Sequence, residues 1–295
     1  MSKKALWGRL ALFATTILWG TAFVVQKNIL DAVEPLWLLS LRFCGSALIT
    51  LPFTLKLLRQ ADKKCVAGGV LMGVFLFLAY SIQTYGLKYT TPAKNAFLTT
   101  AYCVLVPFIH WAASRRRPDR CNIAAALLSV VGVGLVSLSG DLSVGRGDML
   151  TLIGAFFYAL QIIAADRALD FGEVLPLLLI QNSVCGALSL VGAALTEPAP
   201  AFASLGQDAW LSLAYLIVLC TAATAFLQIY GQQRTPPSQA ALIMALESVV
   251  GTVTSLLFYA DEVMTLRIGC GFALLFIAVV ISETKLSFLR QKKEK

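Results

Sequence analysis

An all-α integral membrane fold of ten transmembrane helices, arranged as two inverted five-helix repeats, is what this sequence predicts. Three observations lead there. Apolar residues recur in blocks of about 18 to 23, the span of a bilayer core. The basic residues between the blocks segregate to alternate loops, and the chain matches itself when shifted by 145 positions.

Composition narrows the class first. Of 295 residues, 58% are hydrophobic and 14% charged, whereas soluble domains run nearer ~45–50% apolar and ~25% charged. Mean hydropathy is +0.77. A soluble chain of this size has too little interior to hide that much apolar surface, so the bilayer is the solvent. The net charge of +8 would suggest a nucleic-acid partner in a soluble protein. Here the cations lie in short loops between apolar runs, which is an orientation signal, and no nucleic acid is expected.

The spans follow in chain order. The basic start MSKKALWGRL leads into ALFATTILWGTAFVV without a small-x-small cleavage site, so it reads as an uncleaved first helix over 8–26. Glu34-Pro35 opens the second helix (35–57), and Thr91-Pro92 separates the third (66–87) from the fourth (92–112). Arg117-Pro118 precedes the fifth (121–139). The sixth and seventh fall at 147–165 and 174–195, and Pro198 with Pro200 breaks the chain before the eighth at 208–231. Pro236-Pro237 opens the ninth (236–258), and the tenth (264–284) leads to a basic tail, 286–295.

With ten spans both termini share one side, and the loop charges say which. Eighteen Lys and Arg residues, among them Lys3, Lys4, Lys63, Lys64, Arg115, Arg116, Arg117, Arg167 and Arg234, fall on the side of the termini. Five fall on the other (Lys27, Lys88, Lys94, Arg146 and Arg267), and Arg42 lies inside a helix. The positive-inside rule then puts both termini in the cytoplasm of a multi-pass protein of the cell (inner) membrane.

The 145-residue shift sets QTYGLKYTTPAKNA, from Gln83, on QIYGQQRTPPSQAA, from Gln228, with six identities. A weaker match at 139 to 141 sets Trp19 against Tyr158 and Cys44 against Cys185. The repeats are expected at 1–140 and 145–285. Each holds an odd number of spans, so the second copy enters the membrane from the opposite face. The basic Arg115-Arg116-Arg117 accordingly aligns with the acidic Ala260-Asp261-Glu262. Inverted repeats are the architecture of alternating-access transporters, with substrate bound near the midplane.

These features resemble the drug/metabolite transporter superfamily and, within it, the ten-helix EamA-type permeases. The matching pieces are LWGTAFVVQK in the first helix, PLWLLSLR opening the second, the YGLKYTTPA turn, and SQAALIMALESVVGTVTSLLFYADE with its Glu247 and Glu262. Two departures stand out. Ser248 follows Glu247 where the family pattern has Pro, and Tyr102 takes the place of an acidic residue in the first copy. The resemblance implies a permease for amino acids, related metabolites or drugs, including efflux, with no nucleotide-binding machinery. The alternative is a polytopic membrane enzyme or receptor without transport activity.

Polar groups inside the span carry the candidate chemistry, because each costs energy in lipid. Glu247, halfway along the predicted ninth helix, is the leading candidate, as an ammonium partner or proton-coupling site, with a structural carboxylate as the alternative. Arg42 is expected to pair with Glu247 or a substrate carboxylate, or to snorkel. Repeat symmetry sets Tyr102 opposite Glu247 and Trp19 opposite Tyr158, natural cavity linings that offer stacking area and a polar tip. Asn95 and Gln161 are further cavity candidates. Gln83 and Tyr85, with their counterparts Gln228 and Tyr230, are gate candidates at the two membrane faces, interfacial anchoring being the alternative. No catalytic residue, metal site or cofactor is expected. His110, the single histidine, has no second ligand at metal spacing. The partners implied are the lipid bilayer and a small-molecule substrate, and a homodimer is compatible with the sequence.

Overall fold

A computed structural model of the chain describes residues 3–114, 118–137, 144–235, 243–259 and 264–284. The Arg115–Arg117 cluster, Pro236-Pro237, Asp261-Glu262 and the 286–295 tail lie outside the described residues.

The described elements are helices α1 (Lys3–Ile29), α2 (Pro35–Leu58) and α3 (Lys63–Lys88), then α4 in two pieces, Pro92–Thr99 and Ala101–Ser114. They continue with α5 (Arg120–Ser137), α6 (Arg146–Ala168) and α7 (Val174–Thr196). Next comes α8, in the three stretches Gln207–Ala214, Tyr215–Ala223 and Thr224–Gln232, followed by α9 (Glu247–Phe258) and α10 (Leu266–Thr284). Seven of these ten segments are long and apolar enough to cross a membrane, and α5, α9 and α10 are shorter apolar helices. Their starts follow the breakers: Pro35 and Pro92 stand at the first turn of α2 and α4, where the missing N–H is not needed.

The burial pattern is that of a lipid-solvated protein. Leu48, Phe53, Val130, Leu195, Leu257 and Phe258 point outward, while Thr15, Thr16, Ser46, Asn95, Thr151, Ser189 and Ser255 are fully buried. Many interior hydroxyls bond back to their own helices, as Thr15 does to the Ala11 carbonyl at 3.0 Å, or across helices, as Thr16 does to Ile243 at 2.9 Å.

Packing reproduces the repeat. Helix α3 packs on α6 as α8 packs on α1, and α1 packs on α9 as α6 packs on α4. Equivalent helices meet across the middle, α2 on α7 and α5 on α10, and they run in opposite directions. As α2 proceeds through Leu36, Cys44 and Ser46, its α7 partners step back through Gly192, Gly186 and Asn182. Glycines make the matched crossings possible. A Cβ on Gly86 would meet the Gly147 carbonyl at 2.9 Å, and one on Gly231 would meet the Gly8 carbonyl at 2.8 Å. Those are the same contact in the two halves.

Three segments, α4, α8 and α9, differ from the uniform helices expected. Helix α4 breaks at Thr100, whose N–H and Oγ1 both donate to the Phe97 carbonyl, at 3.1 and 2.6 Å. Three-residue bonds of this kind tighten the turn and end the α-helical ladder. Farther along α4, Pro107 has no N–H for the Cys103 carbonyl, which accepts from Ser282 Oγ of α10 at 3.3 Å. In α8, Tyr215–Ala223 widens into a π-helix, with Thr221 Oγ1 donating to the Leu216 carbonyl five residues back, at 2.8 Å.

Candidate functional site

The break in α4 has a counterpart. Thr100 and Ala101 match Ala245 and Leu246 under the 145-residue shift, and at Leu246 the N–H bonds three residues back, to Ile243, at 3.2 Å. Glu247 therefore stands as the first residue of α9 rather than midway along one continuous helix. Tyr102 stands just beyond the matching break in α4.

The Glu247 side chain is buried, with 6% of its surface exposed. It makes no hydrogen bond or ion pair among the described residues. Its electrostatic neighbours are Tyr80 of α3 and Tyr158 of α6, and both of those also lie within reach of Arg42. The rings form a chain through the middle of the molecule. Phe43 meets Tyr80 at 4.9 Å between centroids, Tyr80 meets Tyr158 at 5.2 Å, and Tyr158 meets Tyr102 at 6.2 Å. The first two contacts are edge-to-face and the third tilted, and rings packed this way make apolar walls with polar rims.

Arg42 is 2% exposed and does not snorkel. Its Nε donates to Thr221 Oγ1 at 2.6 Å, Nη1 to Gln26 Oε1 at 3.0 Å, and Nη2 to the Cys220 carbonyl at 3.4 Å. Its guanidinium carbon lies 5.0 Å from the Tyr80 ring centre and 5.6 Å from that of Phe43, within cation–π range. No carboxylate pairs with it among the described residues, so the expected Arg42–Glu247 ion pair is absent there. The π-segment explains how the site is built. Widening the helix turns the Cys220 carbonyl and Thr221 hydroxyl toward α1 and α2, where that carbonyl also accepts from Trp19 Nε1 at 3.2 Å.

The remaining predicted residues divide in two. Tyr158 donates to Gln83 Oε1 at 2.8 Å, and Gln83 Nε2 donates to Thr99 Oγ1 at 2.7 Å. Asn95, fully buried, donates to Thr151 Oγ1 at 2.7 Å and to the Gln83 carbonyl at 3.3 Å, and its Oδ1 has no partner. These side chains continue from the ring cluster toward the end of the bundle where α3 ends and α4 and α6 begin. Gln161 lies one turn beyond Tyr158 on α6 and donates to Gln181 Oε1 at 2.7 Å. Toward the faces, Tyr85 donates to Glu197 at 2.5 Å, and that carboxylate accepts from the N–H groups of Leu36 and Trp37 at the start of α2. At the other face Gln228, among the described residues, reaches only Met244 Sδ, at 3.9 Å, and Tyr230 is exposed beneath the Arg234 guanidinium, 3.8 Å from its ring centre.

Sequence reading missed Tyr80, Gln26, Asp148 and Glu197. Gln26 was legible, since it follows Trp19 by seven positions and shares its helix face. Tyr80 likewise precedes Gln83 by three. Asp148, 3% exposed, accepts from Thr90 at 2.5 Å and pairs with Lys94 at 3.4 Å. Its aspartate gives no sign in the sequence of the contacts it makes across two helices. No group of three or more His, Cys, Asp or Glu is placed to hold a metal ion among the described residues.

The model of the EamA-like transporter family matches residues 6–138 and again 145–284. An uncharacterized transporter of Archaeoglobus fulgidus is 29% identical over 287 residues, covering 95% of this chain and 87% of its own. An uncharacterized transporter of Acidianus ambivalens is 29% identical over 126 residues, 42% of this chain and 47% of its own. One crystal structure overlays with a TM-score of 0.67 over 96% of this chain and 98% of that one, at 18% identity, a likeness of fold.

Proposed function

The chain belongs to the EamA-like transporter family, and from that premise we propose that it carries amino acids or related small organic zwitterions across the cell membrane by alternating access. It is a multi-pass membrane transporter of the drug/metabolite type; the cargo and the cycle are our reading. The observation that carries it is Glu247, a buried carboxyl with no partner among the described residues, sharing the Tyr80–Tyr158 ring pair with Arg42. An acidic and a basic side chain that share one aromatic cluster suit a ligand that brings an ammonium and a carboxylate of its own. In this reading Tyr102 and Trp19 complete the wall, and Asn95 and Gln161 supply polar contacts on either side of it.

Alternating access is supported by the pseudo-twofold packing of the two halves, which allows each to take the other's conformation. The two ion pairs among the described residues, Lys88–Glu34 and Lys94–Asp148, both lie at the end of the bundle away from the termini. The matched positions at the other end, Gln228 and Tyr230, hold weaker contacts. We take Gln83 and Tyr85 as the gate at the first end and Gln228 and Tyr230 as its counterpart, with the termini in the cytoplasm and the repeats at 1–140 and 145–285.

Counterflow in proteoliposomes tests the reading, with a panel of amino acids, their amides and their decarboxylated amines. Zwitterions are expected to exchange and to compete with one another. Equal transport of the amines, or flux unchanged in Glu247→Gln, would overturn it. Cysteine labelling at positions 85 and 230 should respond in opposite directions to substrate.

A further inference from the structure

A groove of about 510 Å³ opens between α3, α4 and α6, away from the ring chamber, at the end of the bundle where the termini lie. Its walls are almost wholly apolar, with Leu71 and Phe75 from α3, Ile109 from α4 and Leu160 from α6. The floor is drawn shut where α3 touches α6, since a Cβ on Gly68 would sit 2.7 Å from that of Ala168. Two cations stand at its mouth, Lys64 at the start of α3 and Arg167 at the end of α6. Both are exposed, and neither makes an ion pair among the described residues although Asp166 and Asp170 are close in sequence. Lys64 Nζ lies 5.1 Å from the ring centre of Phe171, which holds it over the opening.

Depth along the helices shows what fits. Leu71 and Phe75 follow Lys64 by seven and eleven residues, about 10 and 16 Å at the rise of an α-helix. Leu160 precedes Arg167 by seven, again about 10 Å. One leaflet of hydrocarbon is about 15 Å deep, so the groove runs from headgroup level to near the midplane. An apolar furrow open to the bilayer fills with an acyl chain, and unpaired cations at the headgroup level favour a negative phosphate.

We propose that this groove is a binding site for one anionic phospholipid, with an acyl chain between α3 and α6 and its phosphate held by Lys64 and Arg167. The proposal is independent of the cargo of the central chamber. The probes are phosphatidylglycerol and phosphatidylcholine with matched chains, in nanodiscs holding the full-length protein, with lipid retention on extraction read by native mass spectrometry. The native protein is expected to retain phosphatidylglycerol preferentially, and Lys64→Gln with Arg167→Gln to lower that retention about tenfold. Lys56→Gln with Arg59→Gln, exposed cations at the same face but outside the groove, is expected to leave it unchanged. Ala67→Trp, which fills the furrow, is expected to expel both lipids from a protein that still elutes as a folded species. Equal retention of the two lipids, equal loss in both charge variants, displacement by free phosphate alone, or a lipid-free dimer through this face would each overturn it.

Discussion

Tyr102 and Glu247 hold the same place in the two halves of the molecule, each just beyond a break in its helix, at Thr100 in α4 and Leu246 in α9. The backbone is repeated and the side chains are not. One half places an aromatic phenol at this position and the other a carboxyl, so a symmetric scaffold carries different chemistry in its two halves.

Glu247→Gln removes the ability to ionise while keeping the shape. Since Glu247 has no partner among the described residues, we expect little change in thermal stability, because no hydrogen bond among those residues is broken. Transport kcat/KM for zwitterions should fall by about a hundredfold, the scale of losing one partner of a buried charge contact. Paired melting and proteoliposome flux measurements check both halves of this expectation.

Arg42→Ala should behave in the opposite way. Its guanidinium bonds Gln26, Thr221 and the Cys220 carbonyl, so truncation orphans three acceptors on two helices, α1 and α8, and costs about 1–3 kcal/mol. Arg42→Lys keeps the charge but cannot reproduce the planar fork, and is expected to recover less than half of the lost melting temperature. Thermal unfolding in detergent reads both.

The matched glycine crossings make a graded prediction. Gly86→Ala and Gly231→Ala each drive a methyl into a backbone carbonyl, at 2.9 and 2.8 Å, and should cost about 1–3 kcal/mol apiece. Gly206→Ala and Gly269→Ala meet nothing within 4 Å and should stay within about 0.5 kcal/mol of the native protein. The four melting curves are directly comparable.

The two ion pairs should differ in weight. Lys88–Glu34 is about one-third exposed on both sides, whereas Asp148 of the Lys94 pair is 3% exposed and also bonds Thr90. Glu34→Gln is expected to cost under about 1 kcal/mol. Asp148→Asn should cost about 2 kcal/mol, because a charge-assisted bond inside the bundle is lost. If α6 is thereby loosened from the α3–α4 turn, accessibility labelling of a cysteine placed at Lys94 should rise in the same variant.

Helix number, inversion and the pairing of equivalent positions were legible in the chain alone, because the bilayer sets the length of every apolar block and duplication copies turns as well as side chains. Glu247 and Arg42 were legible as charges where lipid tolerates few. Their relationship was not. Whether Arg42 meets Glu247 or the widened turn of α8 depends on how three helices cross, and no spacing in the sequence records that. The breaks at Thr100 and Leu246 arise from short backbone bonds within helices whose composition looks uniform. Glu197 capping α2 and Asp148 joining α4 join residues more than 50 positions apart. The sequence thus determined which residues must leave the lipid, since hydropathy is a local property. The tertiary structure alone decided which of them face one another, because that follows from packing between distant helices.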